Sequence, residues 1–362
     1  MTVKPTFKIK TPHGTRTIGG NEPCFIIAEM SANHEQNYHK AVAIVKAAAA
    51  AGADAIKLQT YTADTMTIDS RKKWFFVGGV DNPDAWQGKT FYDLYKTAYT
   101  PWEWHAPLQK LADELGLVFF SAPFDPTAVD YLEKLDAPLY KVASYECTDL
   151  ILLKSIAQTG KPVIMSVGFA TEAEIKLSVD TLRKHGAKDI ALLHCLTSYA
   201  DELRPEEANL EIMLTLGERF QVVVGFSDNN AGIEIPVLAA AMGAGIIEKH
   251  LVLESGQHEL DARFSLSKND FKTMVDRIRG QERIKGNVHF GPQNKSEEYN
   301  RQFRRSLFVV KDMKKGDKFT SDTIRSIRPA YGLEIKYYEE VLGKNASADI
   351  EKGTPLEWNL IV

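Results

Sequence analysis

The chain alternates between short apolar runs rich in β-branched residues and longer stretches with the spacing of amphipathic helices. Eight of these runs are candidate strands, at residues 24–28, 55–58, 118–121, 139–142, 163–166, 190–194, 222–226 and 245–249. Strands that alternate with helices predict a parallel sheet. Eight repeats between about residues 24 and 285 fit a (β/α)8 TIM barrel, which typically has about 250 residues. A doubly wound sheet is the alternative, but no Gly-x-Gly-x-x-Gly motif follows the first strand.

Capping residues mark several helix ends. Thr171 and Glu174 have the spacing of a capping box, in which each side chain bonds the other residue's backbone N–H. Thr100 and Glu103, with Pro101 between them, predict a second box at the start of another helix. Three glycines are predicted to end helices: Gly52, Gly160 and Gly186.

The pattern changes after residue 285. Residues 286–303 are polar and contain glycine and proline, as linkers do, so we expect the barrel domain to span residues 1–285. Residues 304–362 contain a faint repeat, Asp312-Met-Lys-Lys-Gly-Asp and Asp349-Ile-Glu-Lys-Gly-Thr, with strand-like runs nearby. This tail is predicted to be a small second domain whose length is marginal for an independent core.

The connection between the second strand and the helix that opens at Pro101 is unusually long. It has about forty residues, far more than a typical βα loop. The connection and the start of the helix contain four tryptophans: Trp74, Trp86, Trp102 and Trp104. Loops that follow the strands lie at the catalytic face of a barrel. We therefore expect residues 61–104 to form a packed aromatic subdomain that is also a lid over the site.

Composition narrows the function classes. The chain has 362 residues, 44% of them hydrophobic, which excludes a wholly disordered protein, and a formal net charge of −4 gives no reason to expect nucleic acid or an anionic membrane as partner. Three separated cysteines cannot form a disulfide framework. The lysine-bearing N-terminus lacks an apolar signal core, and the apolar run at 235–247 is too short to span a bilayer. We expect a soluble cytoplasmic protein.

Polar residues lie at the carboxyl end of nearly every predicted strand, where barrel enzymes place their catalytic groups. They are Glu29, Lys57, Gln59, Ser121, Lys141, Ser144, Glu146, Ser166, His194, Tyr199, Ser227, Asp228, Glu248 and His250. Two lysines with several hydroxyls suit a dianionic substrate such as a phosphorylated carboxylate. Glu29, Glu146 and Glu248 could act as acids or bases. His250 could bind a divalent metal or be a hydrogen-bonded barrel histidine, and the sequence does not separate these readings.

Six short motifs are distributed along the chain: Lys57-Leu-Gln-Thr-Tyr-Thr, Phe91-Tyr-Asp-Leu-Tyr-Lys, Tyr99-Thr-Pro-Trp-Glu-Trp, Lys141-Val-Ala-Ser-Tyr-Glu, Leu193-His-Cys and Arg328-Pro-Ala-Tyr-Gly-Leu. In this order they resemble the sialic acid synthase family across essentially the whole chain. The tail looks like the SAF (antifreeze-like) module of that family. Within the family the chain most resembles the members that form pseudaminate. The resemblance implies condensation of phosphoenolpyruvate (PEP) with 2,4-diacetamido-2,4,6-trideoxy-altrose, an N-acetylated amino sugar, to give pseudaminate and phosphate, with a divalent metal (Mn²⁺ or Mg²⁺) that polarises the sugar aldehyde.

Position by position, the resemblance also implies site residues. The implied PEP-binding residues are Lys57, Lys141, Ser144, Ser166 and Ser227. The implied sugar-binding residues are Gln59, Glu146, Tyr199, Asp261 and Arg328. The implied catalytic residues are Glu29, Lys57, Lys141 and Glu146, with Glu29 near the reacting carbons. Arg328 matches the arginine that the SAF module of one subunit inserts into the barrel of the other, which implies a domain-swapped homodimer.

The chain departs from the family pattern after the seventh strand. The family usually has Ser-Asp-His there, with the histidine as a metal ligand, whereas this chain has Ser227-Asp228-Asn229. Asn229 and His250 are therefore the candidate metal ligands, and the amide would bind a hard cation better than a soft one. Three alternatives stay open: a sister synthase for the sialate or legionaminate precursor, a Schiff-base aldolase that uses Lys141, and a sugar-binding protein without activity.

Overall fold

The computed structural model describes residues 4–78, 88–196, 205–254 and 260–362. Its strands are β1 Thr6–Thr11, β2 Gly14–Gly19, β3 Phe25–Glu29, β4 Ala55–Thr60, β5 Val118–Pro123, β6 Tyr140–Val142, β7 Val163–Ser166, β8 Ile190–Leu196, β9 Val223–Asp228, β10 Ile246–Val252, β11 Leu266–Ser267, β12 Ser306–Val309 and β13 Ile324–Ile327. Its helices are α1 Tyr38–Ala51, α2 Ala63–Met66, α3 Phe91–Ala98, α4 His105–Glu114, α5 Pro126–Lys134, α6 Leu150–Gln158, α7 Glu172–Lys184, α8 Glu211–Phe220, α9 Glu234–Met242, α10 Lys268–Lys285, α11 Lys295–Asn300 and α12 Tyr338–Val341. The chain divides into two compact units, Met1–Lys285 and Gly286–Val362.

The first unit is the predicted (β/α)8 barrel. Strands β3 to β10 pair in parallel in chain order, and β10 pairs with both β9 and β3, which closes the sheet. All eight predicted strands are confirmed, and several extend further at their carboxyl ends, as β4 does to Thr60 and β9 to Asp228. These extensions bring the polar residues that follow the apolar runs into the sheet itself, where their positions are fixed by backbone pairing.

A β-hairpin that was not predicted from the sequence packs against the barrel interior. Strands β1 and β2 pair antiparallel, and alternation along β1 buries Phe7 and Ile9 while the lysines between and after them stay exposed. Phe7, Ile9 and Ile18 share one hydrophobic cluster with interior barrel residues such as Phe25 and Phe120. The hairpin therefore closes the amino-terminal end of the barrel, opposite to the carboxyl ends of the strands.

Helix ends agree with the capping predictions except at one place. Thr171 and Glu174 form the predicted capping box of α7, and Gly52 ends α1 with a φ of 82°. The box at Thr100 is wrong, because Pro101 precedes a 3₁₀ turn that has no side-chain cap. The Thr100 hydroxyl instead lies 2.9 Å from Nε2 of His34.

The second unit has its own hydrophobic cluster, which includes Leu307, Phe319 and Leu356. The two copies of the faint repeat pair with each other: Met313 and Ile350 exchange two backbone hydrogen bonds of 2.9 Å. The segment predicted to be a linker, 286–303, is mostly exposed and contains α11. In the four described ranges, no helix is both long enough and apolar enough to cross a membrane.

Candidate active site

A cavity of about 490 Å³ lies at the carboxyl ends of the barrel strands. Eleven residues predicted from the sequence line it: Lys57, Gln59, Lys141, Ser144, Glu146, Ser166, Ser227, Asn229, Glu248, His250 and Asp261. Glu29 is fully buried and contacts the cavity residue Lys57. Tyr199 lies outside the described residues, as does Trp86. Arg328 is an exposed residue of the second unit.

Four alternating charges form a buried cluster at the base of the cavity. Lys57 Nζ forms an ion pair with Glu29 and lies 3.7 Å from Glu248 Oε2. Lys141 Nζ lies 3.5 Å from Glu248 Oε1. Strand register contributes to this cluster: Glu29 is opposite Lys57 on β4 and opposite His250 on β10, and Glu248 lies two residues before His250. Two lysines and two carboxylates sum to zero charge, so a dianion that binds here is attracted by the lysines but repelled by both glutamates.

Burial and neighbouring charges set the protonation of this cluster. Burial opposes the charge of Lys57, but Glu248 and Glu29 together raise its pKa above the usual lysine value. Burial lowers the pKa of Lys141 despite the attraction of Glu248, and the charge of Lys57 lowers it further. Burial raises the pKa of Glu29, against the opposing effect of Lys57. Of the two lysines, Lys141 is therefore the one whose charge is less well balanced by neighbouring carboxylates, and a bound anion would stabilise it more.

Serine hydroxyl groups lie beside Lys141 and Glu248. Lys141 Nζ donates to Ser166 Oγ at 2.7 Å and to the Val142 carbonyl at 3.0 Å. Ser227 Oγ donates to Glu248 Oε1 at 2.9 Å. Ser144 lies on the 3₁₀ turn after β6 and lines the same cavity. Ammonium groups beside hydroxyls make a site suited to phosphate or carboxylate oxygens.

Glu146 lies on the same 3₁₀ turn, within reach of the cavity. Its Oε2 atom is buried and has no hydrogen-bond partner among the described residues. Burial raises the pKa of Glu146 to about 7, and the positive charge of Lys141 only partly offsets this effect. A carboxyl group with a pKa near neutrality can both donate and accept a proton, as a general acid or base requires.

A hydrogen-bonded network holds the loop after β3. The Asp261 carboxylate accepts from the Ser31 hydroxyl and, at 3.2 Å, from the Ala32 backbone N–H. Gln59 Nε2 donates to Ser31 Oγ at 2.9 Å and to Glu29 Oε1 at 3.3 Å. Asp261 and Gln59, both predicted to contact a sugar, thus also fix this loop against the barrel. Ser31 lines the cavity and is not among the predicted residues, because its place depends on this network.

Asn229 and His250 both line the cavity. Burial and the charges of Lys57, Lys249 and Lys141 hold the pKa of His250 well below its usual value, so the ring is neutral. His250 Nδ1 is buried and has no hydrogen-bond partner in the described part of the chain. Among the described residues, no group of three or more His, Cys, Asp or Glu side chains could hold a metal ion. The two donors fit a hard cation whose other ligands are water or substrate oxygens.

Glu248 and His194 both lie near strand ends but have different roles. Glu248, which the sequence predicts only as a possible acid or base, has a spacing of two from His250, which puts both side chains on the inner face of β10. Its contacts with both lysines and Ser227 make it the centre of the charged cluster. His194, in contrast, lies 2.9 Å from the Ala208 carbonyl through Nε2, a structural contact.

Comparisons of the sequence and the structure with known proteins agree on one family. A model of the NeuB family matches residues 44–290, and a model of the SAF domain matches residues 304–362. The chain is 40% identical over 333 residues to a pseudaminic acid synthase of Campylobacter jejuni, covering 92% of this chain and 95% of the relative. It is 31% identical over 353 residues to an N,N'-diacetyllegionaminic acid synthase of Legionella pneumophila, covering 96% and 98%. The structure of an N-acetylneuraminic acid synthetase from Leptospira borgpetersenii aligns with a TM-score of 0.70 and 29% identity, covering 82% and 96%.

Proposed function

The chain belongs to the NeuB family, and on that premise we propose that it catalyses the reaction of pseudaminic acid synthases. In this reaction PEP condenses with 2,4-diacetamido-2,4,6-trideoxy-altrose and water to give pseudaminate and phosphate. The observation that carries the proposal is the pair of buried lysines with serine hydroxyls beside a carboxyl group of near-neutral pKa, all at one cavity. The higher identity to the pseudaminic acid synthase than to the legionaminic acid synthase favours this sugar.

Lys57, Lys141 and the serines of the cavity hold the phosphate and carboxylate of PEP. Charge-assisted hydrogen bonds from ammonium groups are strong in a buried site, and they fix the C3 carbon of PEP toward the sugar. The protonated carboxyl of Glu146 donates its proton to the aldehyde oxygen as C3 forms the new carbon–carbon bond. The orphaned Oε2 atom of Glu146 gives that proton a place in the unliganded protein.

Glu29 completes the proposed sequence. Water adds at C2, and the Glu29 carboxylate, held by Lys57 and by the Ser31 backbone N–H at 2.8 Å, takes the proton that the water loses. The hydroxyl of the tetrahedral intermediate then gives its proton to the leaving phosphate as the C2 carbonyl forms and the C–O bond breaks. His250 and Asn229 would hold a Mn²⁺ or Mg²⁺ ion, which when bound polarises the aldehyde.

We further propose a homodimer in which Arg328 of the SAF unit reaches the sugar site of the partner barrel. Its exposure in its own unit supports this role. Phosphate release from PEP with each sugar tests the proposed function. Release that depends on the diacetamido-trideoxy sugar supports it, whereas preference for N-acetylmannosamine would transfer the assignment to a sister synthase. Borohydride trapping of pyruvate on Lys141 would instead indicate a Schiff-base aldolase, for which a buried lysine of lowered pKa is a suitable nucleophile.

A further inference from the structure

Helix α3 contributes a run of apolar and aromatic residues to the cavity lining. The residues of α3 that line the cavity are Phe91, Leu94, Tyr95 and Ala98. They lie at positions i, i+3, i+4 and i+7, which form a single stripe along one face of a helix. Such a stripe ordinarily packs against a core, but here it lines a cavity that also contains charged and hydroxyl groups.

Met66 of α2 and Phe124 after β5 extend the apolar stripe. We refer to these two residues, together with Phe91, Leu94, Tyr95 and Ala98, as the α3 wall. Aromatic contacts hold the wall together. Tyr61 makes edge contacts with Tyr95 and with Phe124, at ring-centroid distances of 5.6 and 5.2 Å.

The outer face of α3 is polar and ties the helix in place. The Thr90 side chain caps the helix by accepting from the Asp93 N–H at 3.1 Å. Arg71 bonds both carboxylate oxygens of Asp93, with a shorter contact of 2.7 Å. The helix therefore presents a fixed apolar face to the cavity. This face selects the apolar part of a ligand, because a hydroxyl group buried against Phe91, Leu94 and Ala98 finds no partner on their side chains.

We propose that the α3 wall is a specificity-determining surface that binds the C6 methyl group of the sugar and disfavours a sugar that carries a hydroxyl at C6. This inference rests on the proposed function. The aldehyde carbon of the open-chain sugar must reach PEP among the lysines at the strand ends, so the C6 end points away from them. Lys57 and Lys141 lie within strands β4 and β6, whereas α3 belongs to the connection that follows β4, so the α3 wall is an apolar surface beyond the strands that the C6 end can reach.

The expected discrimination is moderate. Apolar pockets distinguish ligands that differ by one small group by about 10- to 100-fold, because the energy comes from one buried contact and one unsatisfied polar group. Leu94 is the best test position, since it is the buried residue of α3 and asparagine has nearly its shape. Ala98 is half-buried, so Ala98→Ser adds a hydroxyl with little disturbance to the helix. Lys96, exposed on the opposite face, gives the matched control Lys96→Ala.

Equilibrium binding of two reduced sugars isolates the wall from the chemistry. The probes are 2,4-diacetamido-2,4,6-trideoxy-altritol and its 6-hydroxy counterpart, which have no aldehyde and cannot react, and their Kd values are measured by calorimetry with saturating PEP. We expect the parent protein to prefer the 6-deoxy alditol by about 10- to 100-fold. Leu94→Asn should reduce that preference by about tenfold and Ala98→Ser by about threefold, whereas Lys96→Ala should leave it unchanged.

Equal Kd values for the two alditols in the parent protein would overturn the inference, as would a preference that both Leu94→Asn and Ala98→Ser leave intact. The second substitution keeps the test valid if the first impairs folding. Turnover with PEP is measured separately. If the protein condenses the sugar with PEP but binds both alditols equally, the specificity role of the α3 wall is wrong and the proposed function stands. If the preference for the 6-deoxy alditol depends on the wall but no condensation occurs, the proposed function is wrong and the specificity role of the wall stands.

Discussion

Replacing Lys141 with methionine removes the cavity lysine whose charge is less well balanced by neighbouring carboxylates. The ammonium group contacts Glu248 at 3.5 Å, Ser166 at 2.7 Å and the Val142 carbonyl at 3.0 Å, and its residue is 1% exposed. Methionine has a similar length and no charge, so it fills the same space. Glu248 keeps its contacts with Lys57 and Ser227 in the variant. The substitution therefore separates the role of the charge from that of the side-chain volume.

The two expected effects have different sizes. Losing one member of a buried charge pair with a ligand costs about 2–5 kcal/mol, so the Kd for PEP should rise about 30-fold or more. The free energy of unfolding should fall by no more than about 1 kcal/mol, because burial already disfavours the charge of Lys141 in the unliganded protein. A large loss of PEP affinity with a small loss of stability is expected if the ammonium group serves ligand binding and its burial is unfavourable for folding. If Lys141 instead formed a structural ion pair, its replacement would cause a large loss of stability.

Calorimetric titration with PEP measures the first effect, and urea denaturation measures the second. Lys161→Met is the matched control, because Lys161 forms a surface ion pair with Glu133 at 2.8 Å and lies outside the cavity. The control should change neither quantity appreciably. A PEP affinity within threefold of the parent, or a stability loss of about 3 kcal/mol or more in Lys141→Met, would refute the assignment of Lys141 to anion binding.

Four further predictions concern the remaining elements of the site. Because burial raises the pKa of Glu146 to about 7, turnover should decline as the pH rises through that value and the carboxyl group loses its proton. Glu146→Gln should lower kcat by about 10²- to 10⁴-fold, and its pH–rate profile should lack this decline. In the parent protein Lys249 Nζ lies 2.7 Å from the buried carboxylate of Asp228. Lys249→Met leaves that carboxylate without its cation and should lower the free energy of unfolding by about 3–5 kcal/mol. Denaturation of the double variant with Asp228→Asn should show that part of this free energy is regained. Chelation with EDTA should suppress phosphate release and Mn²⁺ should restore it, with a higher Mn²⁺ requirement in His250→Ala; release that is indifferent to both treatments contradicts a metal at this site. Arg328→Ala should raise the KM for the sugar more than the KM for PEP in steady-state kinetics, and equal increases would argue against its proposed contact with the sugar.

The barrel could be predicted because each strand is an apolar run bounded by helix signals. The amino-terminal hairpin was missed although its alternation is visible, since Lys8 and Lys10 follow Phe7 and Ile9 and give the segment a polar composition. The capping box at Thr100 failed for a different reason. A threonine hydroxyl can bond a local backbone N–H or a distant side chain, and here it contacts His34, which only the folded chain brings near.

Most of the candidate site followed from one rule, that the carboxyl ends of barrel strands carry the chemistry. The rule placed Lys57, Lys141 and His250 at one cavity. It could not show that Glu248 lies between the two lysines, because those distances depend on how the sheet closes and on the register of β10. The aromatic segment was predicted to cover the site, but the sequence did not show which face of α3 meets the cavity. That orientation depends on contacts such as Arg71 with Asp93.

The most direct test of the proposed chemistry is the fate of the bridging oxygen of PEP. The protein is incubated with PEP labelled with ¹⁸O at that position, the diacetamido-trideoxy-altrose and Mn²⁺, and both products are analysed by mass spectrometry. Condensation with C–O cleavage predicts phosphate that retains the label, together with a nine-carbon sugar acid, in amounts that fall sharply in Lys141→Met. Unlabelled phosphate with free pyruvate, or no sugar acid at all, would contradict it.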